Sequence, residues 1–208
     1  MSGLFISFEG IDGVGKSTQA DRLDSYLVSL GRTVARTFEP GGTELGKSIR
    51  QLLLHSGHVD ARAEALLYAA DRAHNVATLI RPALELGQVV ITDRYLDSSV
   101  AYQGAGRVLG AEEVRDLSLW ATGGLLPHLT VLLDLDAEAA VLRRSKTGTA
   151  PDRLESEKLA FFEAVRACYL EIAAAEPSRF LVVDANDSPD SIQSKIRVRI
   201  DALLAAGA

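Results

Sequence analysis

The sequence contains a single cysteine, Cys168, so no disulfide bond can form within the chain. A chain without disulfides is typical of a reducing compartment. Basic residues are also in deficit, since 22 lysines and arginines face 28 acidic residues, and the net charge of −6 argues against a general nucleic-acid-binding surface. No apolar run approaches the ~18 residues of a membrane-spanning helix, and the first residues show neither a charged leader nor an apolar signal core. We therefore expect a cytoplasmic protein that binds neither nucleic acid nor membrane.

Apolar residues, by contrast, make up 47% of the chain, which is enough to cover both faces of a sheet. Short runs rich in apolar and β-branched residues are typical of strands buried on both faces. Five such runs occur, at 4–9, 33–38, 88–93, 129–135 and 179–185. Because helical segments separate them, the pattern indicates one α/β domain over residues 1–208, with a parallel, doubly wound sheet.

Helical periodicity is found between and after the strands. The predicted helices span 16–30, 61–86, 111–122, 136–145, 153–175 and 189–205, and a further helix carrying Arg50 follows the second strand. Pro82 predicts a kink or break near that position. Trp120 shares a helix face with Leu117, and Cys168 lies in an apolar helix, so we expect both Trp120 and Cys168 to pack in the core.

A glycine-rich motif follows the first strand directly. Residues 10–17, "GIDGVGKS", fit the pattern G-x-x-x-x-G-K-[ST] between a strand and a helix. Glycines let successive backbone N–H groups face phosphate oxygens, and the helix N-terminus adds partial positive charge. Lys16 is expected to reach the β- and γ-phosphates, and the Ser17 hydroxyl to ligate Mg²⁺. The predicted ATP-binding residues of this motif are Gly10, Ile11, Asp12, Gly13, Val14, Gly15, Lys16, Ser17 and Thr18.

Three further stretches supply the cations that phosphoryl transfer needs. "EPGGTELGKSIRQLLL" places Arg50 on a helix after the second strand, and "LYAADRAH" places Tyr68 and Arg72 four residues apart on one helix face. "TDRYLDSSVAYQG" places Asp93 and Arg94 at the carboxyl end of the third strand, where parallel sheets bind ligands. Each residue taken alone also fits a plain structural role, such as a surface ion pair or a core aromatic.

The stretches "FEGIDGVGKSTQ", "EPGGT", "DRYLDSSVAYQG" and "PDRLE" together resemble the thymidylate kinase family, in the family's order across nearly the whole chain. The resemblance implies a P-loop NTPase fold with a five-stranded parallel sheet, helices on both faces and a short mobile lid. It implies transfer of a phosphoryl group from Mg²⁺–ATP to dTMP, giving dTDP for dTTP synthesis. It also implies a homodimer.

On the phosphate side, the resemblance gives roles to five residues. Arg94 and Arg50 are expected to grip the acceptor phosphate. Asp12 is expected near the 3′-hydroxyl of dTMP and the metal. Ser17 and Asp93 form the metal site, with Asp93 acting through water.

On the base side, the resemblance implies that Tyr68 stacks on thymine. Arg72, Ser99 and Gln103 are expected to read the polar edge of the base. Tyr102 stands where the family excludes a ribose 2′-hydroxyl. A single methyl group changes binding by only ~1–3 kcal/mol, so a kinase for dUMP or another pyrimidine monophosphate remains an alternative.

The sequence departs from the family pattern at two places. Phe38 stands where relatives usually carry arginine before "EPGGT", and neither Phe38 nor the nearby Arg36 is assigned to the site. Gly13 stands where some relatives carry a catalytic arginine, so the transition-state cation is expected from a lid at about 143–153. This lid holds Arg143, Arg144, Lys146 and Arg153, of which Arg144 best fits the position that packs on adenine and Arg153 matches the "DR" signature.

The expected catalytic set is therefore Lys16, Arg94, Asp12, Arg144 and Arg153. A catalytically weak nucleotide-binding regulatory module is the alternative if the lid is incompetent. A signalling GTPase would need N-K-x-D after a late strand, and the nearest stretch, "DAND" at 184–187, does not fit that pattern.

Overall fold

The structure, a computed structural model, describes residues 3–106, 109–145 and 153–207. Within these ranges five strands form one sheet in the order β2-β3-β1-β4-β5, and every neighbouring pair is parallel. The strands are β1 (Leu4–Glu9), β2 (Val34–Phe38), β3 (Val89–Asp93), β4 (Leu129–Asp134) and β5 (Phe180–Asp184). The predicted five-stranded parallel sheet and P-loop fold are confirmed.

The central strand β1 has an almost continuously apolar sequence. All six of its residues are buried, because helices cover both faces of the sheet. The chain first builds the β2–β3 side of β1 and then crosses to the β4–β5 side. A crevice is expected at the carboxyl ends of the strands where the order reverses, beside β1.

Helices connect the strands and lie close to their predicted positions. They are α1 (Lys16–Ser29), α2 (Glu44–His55), α3 (Ala61–Asn75), α4 (Arg81–Glu85), α5 (Leu96–Ser99), α6 (Ala111–Thr122), α7 (Ala137–Ser145), α8 (Leu159–Ala175) and α9 (Pro189–Ala205). No helix within the described ranges has both the length and the apolar character required to cross a membrane.

The break predicted near Pro82 takes the form of a π-helical turn at Val76–Ile80, which joins α3 to α4. There the N–H of Arg81 bonds to the carbonyl of Val76, five residues earlier. Pro82 itself occupies the first turn of α4, where its missing N–H costs little. The single helix expected over 61–86 is therefore two α-helices with a wider turn between them.

Two expectations were wrong, and one helical segment was left out. The helix predicted over 153–175 begins only at Leu159, because the residues after 152 form a turn that places Leu154 against α2 and α3. The predicted helices left out the segment after β3, where α5 and a second π-helical segment, Val100–Ala105, follow. Trp120 is 82% exposed on α6, since helical spacing shows which residues share a face but not which face is covered. Cys168, in contrast, is buried as predicted.

The core has two parts. The larger one fills the space between the sheet and its helices, and includes residues from Leu4 to Ile200. The smaller one joins α2 and α3 to the turn after the lid, and consists of Ile49, Leu53, Leu54, Tyr68 and Leu154. This smaller cluster places α2, α3 and the end of the lid around one cavity at the carboxyl edge of the sheet.

Candidate active site

The glycine-rich loop lies between the end of β1 and the first residue of α1. Gly10, Gly13 and Gly15 have φ angles of 130°, 84° and 97°, which side-chain-bearing residues rarely adopt. No side chain caps the start of α1, so its first N–H groups remain available to an anion. The Nζ of Lys16 donates to the carbonyls of Gly10 (3.1 Å) and Ile11 (3.0 Å), which holds the buried ammonium under the loop. Burial and the nearby charge of Arg94 lower the pKa of Lys16.

A cavity of about 680 Å³ opens over this loop. At its wall the Ser17 hydroxyl donates to Asp93 Oδ2 at 2.9 Å. A hydroxyl and a carboxylate are hard oxygen donors, which Mg²⁺ prefers, and the ion usually takes only one or two carboxylates beside substrate phosphates and water. The donor set predicted for the metal therefore fits Mg²⁺ in the presence of a nucleotide.

Arg94 lies between Asp12 of the glycine-rich loop and Tyr102, and its backbone conformation is unusual. Its φ is 70°, and among the described residues it is the one non-glycine in the left-handed region, a strain that clusters at functional sites. Its Nη2 donates to Asp12 Oδ1 (2.7 Å) and to the Tyr102 hydroxyl (3.2 Å), and its Nη1 donates to Ser98 Oγ (3.1 Å). The guanidinium also lies 4.8 Å from the centre of the Tyr102 ring.

These contacts fix the charge of Asp12. Burial by itself would raise the pKa of this carboxyl group, but the charges of Arg94 and Lys16 outweigh burial and lower the pKa far below its usual value. Asp12 in turn raises the pKa of Arg94 against the effect of burial. Asp12 and Arg94 therefore form an ion pair, and they line the cavity together.

A second, smaller cavity of about 110 Å³ adjoins the first. All eight residues that the sequence assigned to dTMP line it, namely Asp12, Arg50, Tyr68, Arg72, Arg94, Ser99, Tyr102 and Gln103. Four residues line both cavities: Asp12, Glu39, Arg50 and Arg94. The glycine-rich loop and the predicted acceptor residues are thus parts of one continuous site.

Arg72 is fully buried at the wall of the smaller cavity. Its Nε donates to Glu39 Oε2 at 2.7 Å, and its Nη2 donates to Ser99 Oγ at 3.0 Å and to the carbonyl of Tyr95 at 3.1 Å. Burial raises the pKa of Glu39 to about 7, although the charge of Arg72 opposes the rise. Its Nη1 donates to Ser118 Oγ on α6 at 3.3 Å, so partners on three segments take four of the five N–H groups and fix the direction of the one that remains.

The two lid arginines lie in different places. Residues 146–152 of the predicted lid fall outside the described residues. The backbone N and Cβ of Arg144 lie against Gly13 of the loop, its guanidinium forms an ion pair with Glu155, and its charge helps to lower the pKa of Asp12. Arg153 donates to the carbonyl of Leu53 at 2.9 Å and pairs with Glu64, so it contacts α2 and α3 rather than the glycine-rich loop.

Arg36 and Phe38, which were left out of the predicted site, both line the larger cavity. Arg36 pairs with Asp21 of α1 at 3.1 Å, and Phe38 is 46% exposed with the guanidinium of Arg50 6.0 Å from its ring centre. An aromatic surface thus stands where a charge was expected.

Glu9 is a residue that sequence reasoning missed. It is fully buried at the end of β1, where its carboxylate accepts from the N–H of Tyr95 (2.8 Å), from Ser98 Oγ (2.5 Å) and from the Tyr169 hydroxyl (3.0 Å). Burial, followed by the charge of Asp97, raises its pKa to about 8. Glu9 therefore supports two residues that follow Arg94 in the chain, Tyr95 and Ser98. A carboxyl group at the end of a strand that is apolar except for Ser7 was the signal that could have identified it.

Comparison with known proteins gives one consistent result. A family model described as thymidylate kinase matches residues 8–196. A thymidylate kinase of Clavibacter sepedonicus is 61% identical over 209 residues, covering 100% of this chain and 99% of the relative. Those of Leifsonia xyli subsp. xyli and Bifidobacterium longum subsp. infantis are 63% and 58% identical, over 96% and 98% of this chain and 95% and 88% of the relatives.

Proposed function

Because this chain belongs to the thymidylate kinase family and phosphorylates dTMP, we propose that it transfers the γ-phosphoryl group directly from Mg²⁺–ATP to the dTMP phosphate. The observation that carries this proposal is the junction of the two cavities, where Asp12, Glu39, Arg50 and Arg94 line both. A donor in the larger cavity and an acceptor in the smaller one would meet end to end at Arg94. Transfer of this kind depends mainly on positioning and charge stabilisation.

In the donor half, the backbone N–H groups of residues 10–15 and the start of α1 bind the ATP phosphates, with Ser17 and Thr18 in the first turn. Lys16 offsets charge on the β- and γ-phosphates. Ser17 would hold Mg²⁺ directly and Asp93 through water, and when bound the ion neutralises charge that develops on the phosphate oxygens. Support comes from the uncapped helix start and from the Ser17–Asp93 contact of 2.9 Å.

In the acceptor half, Arg94 and Arg50 hold the dTMP phosphate in line with the γ-phosphorus. Asp12 orients Arg94 and lies near the 3′-hydroxyl, and the ring of Tyr102 fills the space that a ribose 2′-hydroxyl would need. Tyr68 stacks on the base, while Arg72, Ser99 and Gln103 face its polar edge. All these residues line the smaller cavity.

In the reaction, an oxygen of the dTMP phosphate attacks the γ-phosphorus, the bond to the β-phosphate oxygen breaks, and ADP leaves without a covalent enzyme intermediate. No strong general base is needed, because a monophosphate with a second pKa of ~6 is already mostly dianionic at neutral pH. Of the two lid arginines, we assign the charge-stabilising role to Arg144, which lies against Gly13. Arg153 contacts α2 and α3 and acts by holding the lid.

We further propose that two copies associate through α2, α3 and α6. Four large apolar side chains are exposed on these neighbouring helices: Leu45, Leu52, Leu66 and Trp120. Large apolar side chains exposed on helices that contact one another are typical of an interaction surface. A dimer in sedimentation velocity supports the proposal, and a monomer at micromolar concentration contradicts it.

A coupled ADP-release assay tests the reaction and its range. With ATP and Mg²⁺ present, we expect turnover to be best with dTMP among dTMP, dUMP, dCMP, dGMP and AMP. Removal of Mg²⁺ with a chelator should abolish turnover, and add-back should restore it. Equal turnover with dTMP and dCMP, or activity that survives chelation, would contradict the proposal.

A further inference from the structure

Gln103 follows α5 in the π-helical segment and lines the acceptor cavity with Arg72 and Ser99. Its Nε2 donates to Oε1 of Glu64 at 3.0 Å, and both side chains are buried. Glu64 lies on α3, four residues before Tyr68 and eight before Arg72, so one face of that helix carries all three. No role was assigned to Glu64 from the sequence.

The contact determines which end of the Gln103 amide is free. A carboxylate can only accept hydrogen bonds, so Gln103 must turn its nitrogen toward Glu64 and its oxygen away from it. The second carboxylate oxygen, Oε2, is paired with Arg153, which is itself held by the carbonyl of Leu53 at 2.9 Å. Glu64 is therefore fixed on both sides and leaves Gln103 one favourable orientation.

This orientation has a consequence for the base. Thymine and uracil present an N3–H donor beside the O4 acceptor, whereas cytosine presents an N3 acceptor beside an amino donor. Arg72 carries only donors, and the fixed Gln103 offers an acceptor. The Gln103 oxygen as acceptor and an Arg72 N–H as donor match the N3–H and O4 of thymine. With cytosine, the Gln103 oxygen would face the N3 acceptor and the Arg72 N–H would face the amino donor, so both places would be mismatched.

We propose that Glu64 is a specificity-determining positioning residue, which fixes the Gln103 amide so that its oxygen faces the acceptor base. Through its ion pair with Arg153, Glu64 also connects the orientation of Gln103 to the end of the lid. The proposal deepens the proposed function and rests on it, since it takes the smaller cavity as the site of the dTMP base. Glu64 touches no substrate and acts through Gln103.

The substitution Glu64→Gln tests the proposal with almost no change in shape. Arg153 can bond only to the oxygen of the new amide, which turns its nitrogen toward Gln103 and reverses the Gln103 amide. A buried donor then faces N3–H. We expect kcat/KM for dTMP to fall about 10- to 100-fold, while kcat/KM for dCMP stays unchanged or rises.

The exchange Glu64→Gln with Gln103→Glu provides the rescue. In the double variant the carboxylate at position 103 accepts from the new amide and presents its other oxygen to the base, so the acceptor returns. We expect the dTMP/dCMP ratio of kcat/KM to recover at least about tenfold from that of Glu64→Gln. A residue that only supports the fold would not give this recovery.

The matched control is Glu113→Gln, the same change in the exposed ion pair between Arg62 and Glu113 on α6, which should keep the wild-type ratio. Thermal unfolding and ATP affinity are measured for every variant. A folded Glu64→Gln protein with the wild-type dTMP/dCMP ratio, or a double variant no better than the single one, would overturn the inference. A wild-type enzyme that does not prefer dTMP over dCMP would instead overturn the proposed function.

Discussion

The donor cavity takes six of its lining residues from the single stretch 12–18, namely Asp12, Gly13, Gly15, Lys16, Ser17 and Thr18. The acceptor cavity gathers its side chains from β2's end, α2, α3, the segment after β3 and the turn after the lid. In the proposed function the donor end binds phosphate with backbone N–H groups, which any nucleoside triphosphate can use. The acceptor end uses fixed side chains, which can distinguish one monophosphate from another.

The two ends are also supported differently. The glycine-rich loop needs only left-handed glycines and the bonds of Lys16 to carbonyls of the same loop. The acceptor arginines depend on buried carboxylates from other elements, as Arg72 does on Glu39. Substitutions in the loop should therefore affect catalysis directly, whereas substitutions at the acceptor end should separate binding from turnover.

The largest effect is expected from Lys16→Met at the donor end. The change keeps the length of the side chain and removes the charge that offsets the transferring phosphoryl group, so kcat should fall about 10³-fold. Affinity for dTMP, measured by calorimetry, should change less than threefold, because Lys16 lines the larger cavity and not the smaller one. A loss of dTMP binding comparable to the loss of kcat would show that the two ends are not separable.

A smaller effect is expected from Arg94→Ala at the junction. KM for dTMP should rise and kcat should fall, together lowering kcat/KM about 10²- to 10³-fold. The reason is that the acceptor phosphate loses the guanidinium that binds it and aligns it with the γ-phosphorus. Binding of ATP should be largely kept. Steady-state kinetics with each substrate varied in turn gives the measurement, and a variant that loses only its use of ATP would contradict the assignment.

The smallest effect on activity is expected from Glu9→Gln, whose consequence is measured as stability. Burial raises the pKa of Glu9 from 4.5 to about 8 in the folded protein. Below pH 4.5 both states hold the proton, but between these values the unfolded chain releases its proton first. The stability linked to Glu9 is therefore lost as pH rises through this window, by up to about 1.4 kcal/mol per pH unit.

Glutamine cannot titrate, so Glu9→Gln should flatten the decline between pH 5 and 8 without removing it, because Glu39, with a pKa of about 7, contributes in the same direction. Urea unfolding at four pH values measures the free energy of unfolding. The control is Glu163→Gln on the exposed face of α8, which should leave the slope unchanged. A slope equal to that of the wild type in Glu9→Gln would show that Glu9 does not titrate in this window.

Local features of the sequence carried much of the prediction. The five strands, most of the helices and the glycine-rich loop follow from periodicity and from the spacing of a few residues, which depend only on near neighbours. The residues proposed for the acceptor were predicted in a different way. Their types alone were ambiguous, and it was the order of four motifs along the chain that pointed to one cavity.

Predictions from the sequence failed where packing between separate elements determined the exposure of a side chain or the start of a helix. Trp120 has the spacing of a core residue, but its face of α6 is exposed. The helix expected from residue 153 starts six residues later, because Leu154 joins the cluster formed with α2 and α3. Arg153 was one candidate for the lid cation, and its contacts with Leu53 and Glu64 could not be read from the sequence.

The sequence by itself determined the parallel α/β architecture and a glycine-rich loop of the kind that binds phosphate, because both are encoded within short segments. Only the tertiary structure decided which buried carboxylates hold the acceptor side chains. Glu39 and Arg72 are 33 residues apart in the chain, and Glu9 and Ser98, like Glu64 and Arg153, are 89 apart. A hydrogen bond across such a distance depends on how the elements pack, and periodicity records only which face of each element is apolar.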